Sequence, residues 1–136
     1  MKKYRIAIVE NDEDERFFIK EGFDATDLFE IVAMVNNGDA LFDWLQENSG
    51  SLPDLILSDL NMPGKNGYDI IKGIKEDETY AHIPVFITST SSTKAFIDKC
   101  KALGAADFII KPDTFIEYSP FVKNLYQIFE KTEVLK

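Results

Sequence analysis

Short apolar runs alternate along the chain with segments whose apolar residues recur every three or four positions. YRIAIV (4–9), FEIVAMV (29–35), DLILS (54–58), PVFITS (84–89) and DFIIK (107–111) are rich in Ile, Val and Phe and read as strands. The segments between them have helical spacing. DEDERFFIKEG (12–22) has Asp12 at the N-cap and Gly22 as its stop. GDALFDWLQEN (38–48), capped by Asp39, puts Ala40, Leu41, Trp44 and Leu45 on one face. GYDIIKGIKEDE (67–78) turns Ile70, Ile71 and Ile74 inward, and TKAFIDKCKALG (93–104) spaces Phe96, Ile97, Cys100 and Leu103 at three and four before ending on Gly104. SPFVKNLYQIFEK (119–131) opens with Ser119 as N-cap and Pro120 at the first helical position. Five strands and five helices thus alternate. The strands are apolar almost throughout, as strands are when helices cover both faces of a sheet. The pattern predicts an α/β fold, a five-stranded parallel sheet with right-handed crossovers.

Composition narrows this little. At 136 residues, without repeats, low-complexity segments or a linker, residues 1–136 are expected to form one domain, with nothing left over for an output domain. One cysteine, Cys100, excludes an internal disulfide. The formal charge of −9, with Lys and Arg scattered in runs of at most two, argues against nucleic-acid binding. The apolar runs are far shorter than a membrane span and the N-terminus turns acidic at once, so a soluble, cytoplasmic protein is expected. Most of the excess acid reads as solvated surface. The cluster Glu10, Asp12, Glu13, Asp14 and Glu15 differs because it follows directly on an apolar strand.

In open parallel sheets, ligands bind at the carboxyl ends of the strands. There the first strand ends in Glu10-Asn11, the third in Asp59, the fourth in Thr88-Ser89-Thr90 and the fifth in Lys111-Pro112. Each has a plain explanation in turn chemistry; the four together do not. Carboxylates held close together raise a pKa or recruit a cation. Oxygen ligands at a shallow edge suit Mg²⁺ rather than zinc. Asp59 is then a candidate ligand and nucleophile, since carboxylates form aspartyl phosphates. Lys111 would pair with the phosphoryl oxygens and Ser89 would donate to one of them.

The ordered motifs IVEN, SDLNMPGKNGYD, PVFITST and DFIIKP resemble the receiver domain of two-component response regulators, most closely its single-domain, CheY-like members, over roughly residues 4 to 131. The resemblance implies a flavodoxin-like sheet of order 2-1-3-4-5. It implies that Asp59 is the phosphoacceptor and that Lys111 contacts the phosphoryl group, with a cis bond between Lys111 and Pro112. Glu10, Asn11, Asp59 and the backbone carbonyl of Asn61 would hold Mg²⁺. Ser89 and Phe108 would be the switch residues; Phe108 itself reads as either partly exposed and mobile or part of the core. The partners implied are a sensor histidine kinase or histidine phosphotransfer protein and a downstream protein target. The chain itself would be a monomer or weak dimer that signals through a changed surface and is not an enzyme.

One position departs from the family pattern. Asn11 stands where a second metal-binding Asp is usual. A charge pair at about 4 Å and an effective dielectric near 20 is worth about 4 kcal/mol before desolvation. The net loss expected is about tenfold in metal affinity. Asp12, next door, either reaches into the site or caps the helix. An interaction module that no longer depends on phosphate is the alternative this departure leaves open. Thr88 takes the place of Ser89 if the register is shifted by one. Phe115, Tyr118 and Phe121 are candidates for an apolar partner surface, His82 for a surface residue, and Cys100, Trp44 and most phenylalanines for the core.

Overall fold

The structure, a computed structural model, describes residues 2–90, 93–112 and 117–134. Strands and helices alternate as β1 (Tyr4–Val9), α1 (Glu13–Thr26), β2 (Phe29–Val35), α2 (Gly38–Glu47), β3 (Leu55–Asp59), α3 (Gly67–Glu76), β4 (Val85–Ser89), α4 (Lys94–Ala102), β5 (Asp107–Ile110) and α5 (Ser119–Val134). The strands form one parallel sheet in the order β2-β1-β3-β4-β5. Every residue of β3 and β4 is buried, which is why those stretches show no polar alternation. Each large apolar side chain buried there contributes about 1.5–3 kcal/mol.

The period-two alternation of strands splits the core in two. Ile6, Ile8, Leu57, Phe86 and Ile109 face α1 and α5, meeting Ile19, Phe23, Leu125 and Phe129. Val9, Ile56, Val85, Ile87 and Phe108 face the other way, toward Leu41, Leu45, Ile70, Ile74 and Cys100 from α2, α3 and α4. The same parity carries past the strand ends. Backbone bonds from Glu10 N to Val35 O and from Lys111 N to Ser89 O extend the ladder there. Glu10, Asp59, Thr88 and Lys111 therefore belong to the α1/α5 face, and Ser89 to the opposite one.

Several local expectations are corrected. Gly22 does not stop α1, which runs on to Thr26 and closes at Asp27, a left-handed residue (φ 53°) whose N–H donates to Phe23 O. Gly22 instead lies where α5 begins, and a Cβ there would collide with the Cβ of Tyr118. The cap of α2 is Asn37, not Asp39: its side chain accepts from Ala40 N at 2.8 Å. Asp12, by contrast, caps α1 as expected, accepting from Glu15 N at 3.1 Å. No peptide bond among the described residues is cis, so Lys111-Pro112 is trans, the form a tertiary amide still prefers by about 0.5–1 kcal/mol. Of the two readings of Phe108, partly exposed or core, the structure has the core one, because its parity turns it into the second core. Tyr118 and Phe121 are buried in the first core rather than forming a surface, and Phe115 lies outside the described residues. Among the described phenylalanines Phe17 and Phe96 are the exposed exceptions, and Trp44 is half-buried against the second core.

Candidate functional site

The site is built around Lys111. Its ammonium reaches back across the sheet edge and lies 2.9 Å from Glu10 Oε1, 2.5 Å from Glu15 Oε2 and 3.3 Å from Asp59 Oδ1. All four side chains are buried. β1, β3 and β5 supply three of them at matched heights, and the first turn of α1 supplies the fourth. Glu10 is fixed further: its Oε2 accepts from Asp12 N at 3.1 Å, and Arg16 donates to its carbonyl at 2.8 Å.

One cation among three carboxylates sets the electrostatics. Burial pulls the Lys111 ammonium down, but hydrogen bonds to Glu15 and Glu10 and the charge of Asp59 outweigh it and hold it above the usual lysine range. Burial pushes the Asp59 carboxyl above the usual carboxylate range; the pull of Lys111 opposes this and the Glu15 charge adds to it. Glu15 is raised for the same leading reason, burial. The cation is secure and the acids share it, so each acid is undercompensated. Tyr118 stands beneath them, its phenol pushed up to about 12 by burial and then by the Glu15 charge.

The structure brings together Glu10, Asp59 and Lys111 and adds Glu15, which the sequence set apart with the acidic cluster after the first strand but gave no place in the site. The signal for Glu15 was its phase. It shares the inward stripe of α1 with Ile19, Gly22 and Phe23. Ser89 is buried at the end of β4, on the other face of the sheet from Asp59, and Asn61 Nδ2 lies 3.5 Å from its hydroxyl. Thr88, opposite Asp59 in the ladder, has a buried Oγ1 with no hydrogen-bond partner. Phe108 pairs with Ile87, one residue before Thr88. Asn11 and Asn61 are exposed at the edge, and His82 is exposed on the surface.

Among the described residues, no group of three or more His, Cys, Asp or Glu side chains is arranged to hold a metal ion. The donors present are two carboxylates, Glu10 and Asp59, flanked by the amides of Asn11 and Asn61. That set fits Mg²⁺, which is commonly held by one or two carboxylates and its own waters. The fit is a loose one, because both acids also serve Lys111.

The family model of the response regulator receiver domain matches residues 6–117. The chain belongs to this family. Among curated proteins, the receiver is 44% identical over 59 residues to the two-component response regulator ARR3 of Arabidopsis thaliana, covering 43% of this chain and 26% of that protein. The receiver spans between 26% and 39% of the length of the first relatives it matches. In solved structures, the chemotaxis response regulator CheY4 of Vibrio cholerae superposes with a TM-score of 0.76 at 20% identity, over 93% of this chain and 99% of that one. The Mn(2+)-bound response regulator Rcp1 superposes with a TM-score of 0.70 at 24% identity, over 96% and 91%. At these identities the structural likeness is one of fold. Among the described residues of the receiver, no helix is long and apolar enough to cross a membrane.

Proposed function

We propose that this receiver accepts a phosphoryl group on Asp59 from a histidine kinase or a histidine phosphotransfer protein. It then passes the signal on through a changed protein-binding surface. The observation that carries the reading is the Lys111 ammonium, buried and 3.3 Å from the Asp59 carboxylate, which ends the central strand β3. In the transfer, an Asp59 oxygen attacks phosphorus and the bond from phosphorus to the donor nitrogen breaks. That bond's electron pair leaves with the donor. Lys111 stabilises the equatorial oxygens. Glu10 and Asp59, helped by Asn11 and the backbone of Asn61, would hold Mg²⁺, which offsets phosphoryl charge. A hydroxyl at the end of β4 donates to a phosphoryl oxygen: Thr88 faces Asp59 directly, whereas Ser89 must turn in from the opposite face, a movement that would alter packing on the side of Phe108. The result is a shift between two conformations rather than a turned-over substrate, so the receiver acts as a switch and not as an enzyme. We place it in the cytoplasm as a monomer or weak dimer.

Intact-mass spectrometry after incubation with acetyl phosphate and Mg²⁺ tests this. One phosphoryl group is expected on the wild type and none on Asp59→Asn or in EDTA. A wild type without added mass would refute the reading. A second reading, a phosphate-independent interaction module, is favoured by one observation, the exposed amide Asn11 at a metal-binding position. Absence of any Mg²⁺ binding in titration calorimetry would support it.

A further inference from the structure

We propose that Glu15 is a positioning residue, holding Lys111 in the resting receiver and releasing it when Asp59 is phosphorylated. The inference rests on the phosphoacceptor reading above. An ammonium has three protons. Here Glu10 and Glu15 accept two of them as hydrogen bonds, Glu15 being nearest at 2.5 Å, while the nucleophile Asp59 is an ion-pair partner farther off at 3.3 Å. The cation is thus drawn toward α1 and away from the group that reacts.

A phosphoryl group on Asp59 brings roughly two negative charges and three strong acceptor oxygens to the same spot. Hydrogen bonds to Glu10 and Glu15 hold two of the Lys111 protons, so drawing the ammonium onto phosphoryl oxygens pulls it away from these carboxylates. Glu10 is the harder one to displace. Its side chain is 2% exposed and its second oxygen is tied to Asp12 N. The Glu15 side chain is 12% exposed and reaches in from a helix, so water can solvate it once it is released. Glu15 therefore stabilises the unmodified state selectively. It is absent from the expected metal set, and its charge does not replace the carboxylate missing at Asn11, because it is directed at the lysine.

The test follows phosphorylation by acetyl phosphate with Mg²⁺, by intact mass against time, in wild type, Glu15→Gln and Asp14→Asn. In each case an Asp59 oxygen attacks phosphorus and acetate leaves with the electron pair of the broken P–O bond. In Glu15→Gln the new side chain still offers an amide oxygen, so the fold is kept, which a melting curve verifies. Asp14 is exposed on the same helical turn, and its variant removes the same charge. Glu15→Gln is expected to gain phosphate about three- to tenfold faster, and Asp14→Asn to stay within about twofold of wild type. The nitrogen-15 signal of the Lys111 ammonium should shift on phosphorylation of the wild type and already be displaced in unphosphorylated Glu15→Gln. Phosphorylation of wild type and Glu15→Gln at equal rates would overturn the inference and leave the phosphoacceptor reading standing. Equal acceleration by Asp14→Asn would reduce the effect to net charge and overturn it as well. A wild type that takes no phosphate defeats the phosphoacceptor reading, and the inference with it.

Discussion

Lys111 and Thr88 lie on the same face of the sheet, at its carboxyl edge, with opposite consequences for stability. Lys111 is the only cation within reach of Glu10, Glu15 and Asp59 among the described ion pairs. Replacing it by Met would leave three buried carboxylates without a partner, and removing one member of a buried ion pair costs about 3–5 kcal/mol. Lys111→Met is therefore expected to lower the urea midpoint sharply, by roughly the full stability of a marginal domain. Thr88 carries a buried hydroxyl that bonds to nothing. Thr88→Val keeps the β-branched shape that β4 needs and removes the unpaired group. It should stabilise the receiver by about 1 kcal/mol, read as a higher urea midpoint; a loss of stability would mean that the hydroxyl has a partner. Residue parity separates two hydroxyls that the sequence leaves alike. Thr88 faces Asp59 from the same side of the sheet, whereas Ser89 lies on the side of Phe108. Spacing within the Thr88-Ser89-Thr90 run does not reveal this, since three consecutive hydroxyls look alike in sequence.

At the scale of elements, contact between α1 and α5 is set by one missing side chain. Gly22 is mid-helix, where glycine costs about 1 kcal/mol relative to alanine, yet a Cβ there meets Tyr118. Gly22→Ala gains helix propensity and loses the close approach. Because the obstacle is a Cβ next to backbone, which cannot rotate away, overpacking should win by about 1–3 kcal/mol. A lower melting temperature is the expected result, and a higher one would show that the helices can part without loss. The sequence marked Gly22 as a stop because a glycine after an apolar stripe usually is one. What ends the helix is Asp27 in the left-handed region, one of the residue types that tolerates it. At α2 the miss was a shift of two positions. Asn37 and Asp39 both make good caps, and their order along the chain does not say which backbone turns first.

For the whole molecule, the prediction concerns the divalent ion. Asn11 leaves two carboxylates at the edge, both engaged by Lys111, so Mg²⁺ affinity should be weak. Asn11→Asp restores a third and is expected to raise it about tenfold in titration calorimetry. An unchanged affinity would mean that residue 11 does not contact the ion. The alternation of apolar runs and helical stripes was enough by itself to determine the fold class and to bring Glu10, Asp59, Ser89 and Lys111 to one edge. This holds because parallel connections always return the carboxyl ends of strands to the same side. Tertiary structure alone decided how those groups pair. Whether Glu15 points inward depends on the rotation of α1 against the sheet. Phe108 is buried by the helices packed over its face, and the space at Gly22 is defined by where α5 begins. Each of these is a distance between elements far apart in sequence, and the local pattern of the chain does not encode such distances.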